Sequence, residues 1–297
     1  RHIFWRFRQK CRDTHLTTHR MRNKEILIIN DMCGYSKVAT AAMLPVLSYM
    51  GVPTFNLPTA IVSNNLEYGK FQLLDTTDYM RGVFPLWQEL GFSFSAIAPG
   101  FIDSEKQAEI VADYCAGQAQ CGTTIFVDPI MGDEGKLYCG VTESAVRSMR
   151  RMVSVAHLSV PNYTEACYLT DTPFTLDAVD LDEAYRLVDR LRAIGSRSVV
   201  VTSMTIVEEG QVTKAVVGYN AATDTYFRLP YTEIPVRFPG TGDIFSSVLF
   251  GNLLKDETLE DSTQKAMDVV AQMIFLCQNQ KDKLRGIPIE KYLSLLN

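Results

Sequence analysis

Residues 24–57 read KEILIINDMCGYSKVATAAMLPVLSYMGVPTFNL, and they predict a strand, a helix and a second strand in succession. The apolar run at residues 24–30 predicts the first strand, and residues 36–50 follow with the spacing of a helix. Gly51 marks the end of that helix, and residues 53–57 predict the next strand. This order is typical of a parallel sheet whose faces are covered by helices.

The same alternation continues along the chain. We expect further strands at residues 94–98, 123–127, 157–160 and 198–202, and helices at residues 104–115, 142–152, 181–193, 243–254 and 259–279. Polar and apolar residues alternate at 206–219 and 225–229, which predicts an antiparallel edge on a mostly parallel sheet. Ligands of such sheets bind beyond the carboxyl ends of the strands, so the loops there are the places to look for chemistry.

Composition favours one large domain. The chain has 297 residues, of which 46% are hydrophobic, and we expect residues 21–297 to fold as a single unit. A net charge of −5 argues against binding to nucleic acid or to anionic membranes. No apolar run approaches the roughly 20 residues of a membrane span. The seven cysteines include no C-x-x-C pair and suggest neither a disulfide framework nor a zinc site, so we expect a soluble, cytoplasmic protein.

The first 20 residues differ from the rest. They are rich in arginine, contain one acidic residue, and lack both an apolar signal-peptide core and an initiating methionine. We interpret residues 1–20 as a disordered or non-native tail, with Met21 as a candidate start; an organellar transit peptide is the alternative.

The most informative motif is PGTGD at residues 239–243, which leads directly into the apolar run IFSSVLFGNLL. Gly240, Thr241 and Gly242 can bring backbone N–H groups and a helix N-terminus close to a phosphate. Asp243, in the first turn, could accept the proton of an acceptor hydroxyl. The alternative is a turn that merely caps a buried helix.

Carboxylates also follow two predicted strands. Asp128 and Asp133 lie in the loop DPIMGD, where they could meet Mg²⁺ bound to phosphates, or could simply brace the turn. Asn162 and Glu165 in NYTE are three positions apart on one helical face. They could contact a nucleotide, or they could form a capping box.

Taken in this order, these segments resemble the ribokinase-like superfamily, and more closely the pyridoxal kinase family. The resemblance runs from about residue 24 to residue 295. It includes LPTAIVSNN at 57–65, YGKF at 68–71, PGFIDS at 99–104 and EGKLY at 134–138, besides the motifs above. It implies a three-layer α/β/α sandwich and transfer of phosphate from Mg·ATP to the 5′-hydroxymethyl group of a B6 vitamer.

The resemblance also implies roles for single residues. Asp243 would be the base beside an anion hole of Gly240, Thr241 and Gly242, and Thr59 would bind the substrate. The ATP-binding residues would be Asp128, Asn162, Glu165, Thr202, Ser203, Arg228, Thr241 and Gly242. The metal ligands would be Asp128, Asp133 and Glu165. A homodimer and a possible monovalent cation belong to the same expectation.

Two substrate-site positions depart from the family pattern. Asp31 stands where many members carry serine, and its carboxylate could favour a protonated ring nitrogen or the amine of pyridoxamine. Phe101 stands where an aromatic hydroxyl is common, which removes a hydrogen bond and keeps an apolar wall.

Other functions remain open at this point. Hydroxymethylpyrimidine kinase shares the fold and the acceptor chemistry, although residues 59–71 favour a B6 vitamer. A sugar kinase lacks support because no Gly-Gly pair follows an acidic residue near the start of the domain. A vitamer-binding protein without catalysis would retain the pocket, but the intact motif around Asp243 argues for an enzyme.

Overall fold

A computed structural model describes residues 24–138 and 141–297. Its first unit is β1 (Ile26–Tyr35), α1 (Thr40–Tyr49) and β2 (Thr54–Asn64), and the two strands pair in parallel. The predicted strand, helix and strand are therefore confirmed. Both strands are longer than predicted, and α1 begins later, because β1 and β2 resume pairing beyond a register shift between Asn30 and Met32. Asp31 lies at this irregularity, within β1 and not in a loop after it.

The remaining elements continue the alternation of strands and helices. They are β3 (Leu73–Asp75), α2 (Thr77–Leu90), β4 (Ala96–Pro99), α3 (Glu105–Gln120), β5 (Thr124–Val127), β6 (Gly132–Asp133), β7 (Lys136–Leu137), α4 (Glu143–Val153), β8 (Leu158–Ser159), α5 (Tyr163–Thr170), β9 (Val179–Asp180), α6 (Leu181–Ile194), β10 (Ser198–Glu208), β11 (Gln211–Asn220), β12 (Thr225–Tyr231), α7 (Thr241–Leu253) and α8 (Leu259–Cys277).

The main sheet has the strand order β12-β11-β10-β8-β5-β4-β1-β2-β3, with β9 beside β10. Its centre is parallel, and the predicted antiparallel edge is confirmed by β10, β11 and β12. The strand predicted to end at Thr202 instead continues to Glu208 through a register shift. The structure also has a second antiparallel edge, formed by β3 beside β2. The sequence does not predict it, because β3 has only three residues and all of them are exposed. Helix α2 was also missed, since Pro85 in its middle argues against a helix.

Helices cover both faces of the sheet, which confirms the three-layer α/β/α class. The core on one face includes Met80 of α2 and Met149 of α4, and the core on the other includes Val46 of α1. Phe250 of α7 is fully buried and stacks on Phe126 of β5 with ring centroids 4.7 Å apart. This packing fixes α7 against the sheet, so the start of the helix has a defined position at the carboxyl ends of the central strands.

The cysteines of the described residues are in two states. Cys33, Cys115, Cys167 and Cys277 are buried free thiols, but Cys121 is disulfide-bonded, contrary to the expectation of reduced cysteines. Among the described residues, no helix combines the length and apolar character needed to cross a membrane. The predicted tail at residues 1–20 lies outside the described residues.

Candidate active site

The predicted catalytic motif lies at the start of α7. Gly240 is the N-cap with φ 84°, a left-handed conformation that favours glycine. A Cβ at Gly240 would lie 2.1 Å from the carbonyl oxygen of Lys37, so the chain before α1 packs directly against this turn. A Cβ at Gly242 would meet no atom within 4 Å. Gly240 is therefore required by packing, whereas Gly242 leaves open space above the helix N-terminus.

Asp243 is held in the first turn of α7, where it is 9% exposed. Its Oδ2 accepts a hydrogen bond from the backbone N–H of Ala39 (2.8 Å), a residue with φ 49°. Its Oδ1 is buried and has no hydrogen-bond partner. One carboxylate oxygen is thus fixed in place, and the other is free to take a proton.

The environment of Asp243 makes this carboxyl a weak acid. Burial and the charges of Asp128 and Asp31 raise the pKa of Asp243 from 3.8 to about 8, although the Ala39 amide and the Asn30 side chain oppose the rise. A carboxyl group with its pKa near neutrality is suited to general base catalysis.

Asp128 lies directly after β5, at the carboxyl end of that strand. Its Oδ2 accepts a hydrogen bond from the Ser246 hydroxyl of α7 (2.7 Å), which joins the loop after β5 to α7. Burial raises the pKa of Asp128 to about 6. The structure therefore brings Asp128 close to α7 and to Asp243.

Asn162 and Glu165 form a capping box at the start of α5. The Glu165 carboxylate accepts hydrogen bonds from the backbone N–H groups of Asn162 (2.8 Å) and Met131 (3.0 Å). The Asn162 side chain donates to the carbonyl oxygen of Gly132 (2.8 Å) and accepts from the Glu165 amide (2.9 Å). Burial, with the charge of Asp128, raises the pKa of Glu165 well above its usual value. These two side chains shape the β6–β7 hairpin beside the site.

Asp133 lies on that hairpin. Its Oδ1 accepts from the Glu134 amide (2.9 Å), and its Oδ2 is 3.9 Å from the guanidinium of Arg237. Within residues 24–138 and 141–297, no group of three or more His, Cys, Asp or Glu side chains is placed to hold a metal by itself. Any cation near Asp128 and Asp133 would therefore need further oxygen ligands, such as phosphates and water.

The predicted substrate-side residues lie on β1, β2 and the end of β4. The Thr59 hydroxyl is fully buried without a hydrogen-bond partner. Burial raises the pKa of Asp31 to about 6. The backbone N–H groups of Asp31 (3.0 Å) and Phe101 (2.9 Å) both donate to the side-chain oxygen of Asn30. Asn30, 1% exposed, was missed by sequence reasoning; the signal was an amide side chain at the end of an apolar run.

The three remaining predicted nucleotide residues lie on β10 and β12. The Thr202 amide donates to the carbonyl oxygen of Pro161 (3.0 Å), which joins β10 to the loop before α5. Ser203 is exposed with φ 62° at the β10 register shift. Arg228 pairs with Glu208, the last residue of β10 (2.9 Å). Thr202 therefore lies beside the predicted nucleotide loop, while Arg228 is engaged elsewhere on the sheet.

This chain is similar to one family of known proteins and to several individual kinases. The model of a family described as phosphomethylpyrimidine kinase matches residues 42–285. A candidate phosphomethylpyrimidine kinase of Bacteroides thetaiotaomicron, solved with pyridoxal, is 32% identical with a TM-score of 0.86, over 93% of this chain and 96% of that one. A pyridoxine/pyridoxal/pyridoxamine kinase of Bordetella avium is 27% identical over 263 residues, 84% of each chain. Pyridoxal kinase of Lactobacillus plantarum shares the fold, with a TM-score of 0.80 at 24% identity over 92% and 96% of the two chains.

Proposed function

The chain belongs to the phosphomethylpyrimidine kinase family, and from this premise we propose that it is an ATP-dependent kinase acting on the 5′-hydroxymethyl group of a B6 vitamer. The observation that carries the proposal is Asp243, a buried carboxyl with one unpaired oxygen at the N-terminus of α7. The vitamer is supported by the Bacteroides relative solved with pyridoxal and by the Bordetella kinase.

The reaction would use Asp243 as the base. Its Oδ1 takes the proton of the acceptor hydroxyl, whose oxygen forms a bond to the terminal phosphorus while the bond to the leaving oxygen of ADP breaks. Backbone N–H groups at Gly240, Thr241 and Gly242, together with the dipole of α7, stabilise the negative charge on the transferred group. Burial of Asp243 keeps water away from the proton being moved.

The nucleotide and its cation would lie on the β5, β8 and β10 side of this centre. Asn162, Thr202 and Ser203 would contact the nucleotide, and Arg228 would reach it only by leaving Glu208. Asp128 and Asp133 would hold a Mg²⁺ ion, which would neutralise phosphate charge. Glu165 would act by orienting the hairpin, since its two oxygens already accept backbone N–H groups.

The vitamer would lie on the β1, β2 and β4 side. Thr59 offers a buried hydroxyl without a partner, Phe101 an apolar wall and Asp31 a carboxylate. Because hydroxymethylpyrimidine presents a similar hydroxymethyl group, the family description makes it the second acceptor to consider.

The deciding experiment is phosphorylation by the purified protein with Mg·ATP and, in parallel, pyridoxal, pyridoxine, pyridoxamine and hydroxymethylpyrimidine. We expect phosphorylated vitamer as the main product. Product from hydroxymethylpyrimidine alone would keep the mechanism and replace the substrate, whereas tight vitamer binding without any product would indicate a binding protein.

The proposal includes a cytoplasmic homodimer. Exposed apolar side chains on the β2–β3 edge support self-association: Phe55 is 46% exposed, Ile61 48% and Leu74 62%. Light scattering coupled to gel filtration should give twice the mass of one chain, and a monomer at all concentrations would contradict this part. Cell fractionation should recover the protein in the cytoplasmic fraction, and recovery in another compartment would contradict the proposed location.

A further inference from the structure

Arg237 occupies the segment between β12 and α7, six positions before Asp243. Its neighbour Phe238 is 2% exposed, and the carbonyl oxygen of Phe238 accepts a hydrogen bond from the Thr241 hydroxyl (3.2 Å). The backbone beside Arg237 is therefore anchored, while the Arg237 side chain is 48% exposed. A long cation on a fixed base can exchange partners without movement of the helix.

The Arg237 guanidinium bridges two segments on either side of the site. It lies 3.7 Å from Glu67 in the turn after β2, 3.9 Å from Asp133 and 3.9 Å from Glu134 on the β6–β7 hairpin. All three separations exceed hydrogen-bond length, so these are loose ion pairs. Exposed pairs of this kind contribute little stability and are easily replaced by a stronger partner.

The candidate site contains carboxyl groups with which no cationic side chain in the described part of the chain pairs. Within residues 24–138 and 141–297, Asp31, Asp128, Glu165 and Asp243 form no ion pair with a lysine or arginine, as the salt bridges of that part of the chain show. Near pH 7 the carboxyl groups of Asp31 and Asp128, with pKa values of about 6, are mostly charged, so phosphate brought beside them would meet negative charge. A cationic side chain beside the phosphate would add to the neutralisation that Mg²⁺ supplies.

Tyr138 lies close enough to both Arg237 and Asp243 for each to shift its pKa. Burial raises the pKa of Tyr138, the charges of Glu165, Asp133 and Asp243 raise it further, and Arg237 lowers it. One phenol thus lies among the catalytic carboxylates and the guanidinium.

We propose that Arg237 is a catalytic residue that leaves its carboxylate partners and binds the terminal phosphate of the nucleotide. The inference rests on the proposed kinase function. The planar guanidinium can donate two parallel hydrogen bonds to a phosphoryl group. As the acceptor oxygen bonds to phosphorus and ADP departs with the electron pair, Arg237 stabilises the equatorial oxygens while Asp243 holds the hydroxyl proton.

Nucleotide binding to Arg237→Gln tests this without turnover. Isothermal titration with ADP and with a non-hydrolysable ATP analogue, both with Mg²⁺, gives two dissociation constants for each protein. Loss of a charged hydrogen bond to the terminal phosphate should weaken analogue binding by about ten- to a hundredfold and leave ADP binding nearly unchanged. Equal weakening of both, or of neither, would overturn the inference.

Turnover provides the second readout. Arg237→Gln should lower kcat about a hundredfold, and Arg237→Lys should restore part of the loss. Arg147→Gln is the matched control, because Arg147 is likewise an exposed arginine paired with a carboxylate, Glu105 at 2.9 Å. Glu67→Gln distinguishes phosphate binding by Arg237 from a purely structural role of its ion pair with Glu67. If Arg237 binds phosphate, this variant should keep kcat at or above the original value. A loss of kcat equal to that of Arg237→Gln would show that the ion pair only holds the segment before α7 in place.

The two proposals fail in different ways. An unaltered protein that phosphorylates no acceptor overturns the proposed function itself. An active protein whose Arg237→Gln variant keeps both its kcat and its preference for the ATP analogue overturns the inference alone.

Discussion

Replacement of Asp243 by asparagine should abolish most turnover without unfolding the protein. The two side chains have nearly the same shape, and the amide oxygen of asparagine can still accept the N–H of Ala39, now 2.8 Å from Oδ2. Asparagine cannot take a proton from the acceptor hydroxyl. A positioned general base contributes about a hundred- to ten-thousandfold to rate, so we expect kcat to fall about a thousandfold in Asp243→Asn.

The same substitution should stabilise the fold at high pH. The pKa of Asp243 is about 8 in the folded protein and 3.8 in an unfolded chain. Between pH 3.8 and pH 8, Asp243 is therefore protonated in the folded protein and ionised in the unfolded chain. The free energy of unfolding therefore falls as pH rises across this window. A fully expressed shift corresponds to an upper bound of about 6 kcal/mol. Asp243→Asn removes this charge and should melt at a higher temperature than the original protein near pH 9, with a smaller difference near pH 4.

Three measurements check this reasoning. The pH profile of kcat/KM for the unaltered enzyme should rise up to about pH 8, since the base must lose its proton. A coupled assay of ADP formation with pyridoxal gives kcat for both proteins, and calorimetric scans give the melting temperatures. Turnover of Asp243→Asn within tenfold of the original would refute the base assignment. A lower melting temperature near pH 9 would refute the account of the buried charge.

The remaining predictions concern the glycines of the motif and the substrate side. Gly240→Ala should destabilise the protein by about 3 kcal/mol, measured by thermal denaturation, because its Cβ would lie 2.1 Å from the Lys37 oxygen at φ 84°. Gly242→Ala, with nothing within 4 Å of its Cβ, should keep the melting temperature and lose activity, because the methyl group would obstruct the phosphate; full activity would show that no phosphate approaches there. Asp31→Ser should lower kcat/KM for pyridoxamine relative to pyridoxine at about pH 7.5, where a carboxyl with a pKa of about 6 is charged; an unchanged ratio would contradict the charge argument.

Sequence reasoning worked best where a local pattern repeats. The central strands and the helices around them follow from hydrophobic spacing, and the motif at residues 239–243 locates the start of α7. It failed where pairing decides the structure. The extension of β1 beyond Asn30 depends on β2, a partner that the local sequence does not reveal. Helix α2 forms despite Pro85 because its apolar side, including Met80, packs on the sheet.

The candidate site divides in the same way. The residues of Gly-Thr-Gly-Asp, the carboxylates after β5 and the NYTE segment are visible in the sequence because backbone geometry and charge demand particular residue types. The sequence could not decide between capping and binding for Asn162 and Glu165, since both uses need the same side chains at the same spacing. The fold shows the capping box.

The sequence by itself therefore determined the fold class and the family pattern, and it indicated Asp243 as the candidate base. Only the tertiary structure decided that Ala39 orients this acid, that Asn30 ties β1 to the chain after β4, and that Arg237 joins two sides of the site. The reason is physical. Spacing along the chain encodes local backbone geometry, whereas the contacts that set pKa values and charge balance join residues far apart in sequence; Ala39 and Asp243, for example, are 204 positions apart. These contacts exist only once the sheet has brought its carboxyl edge together.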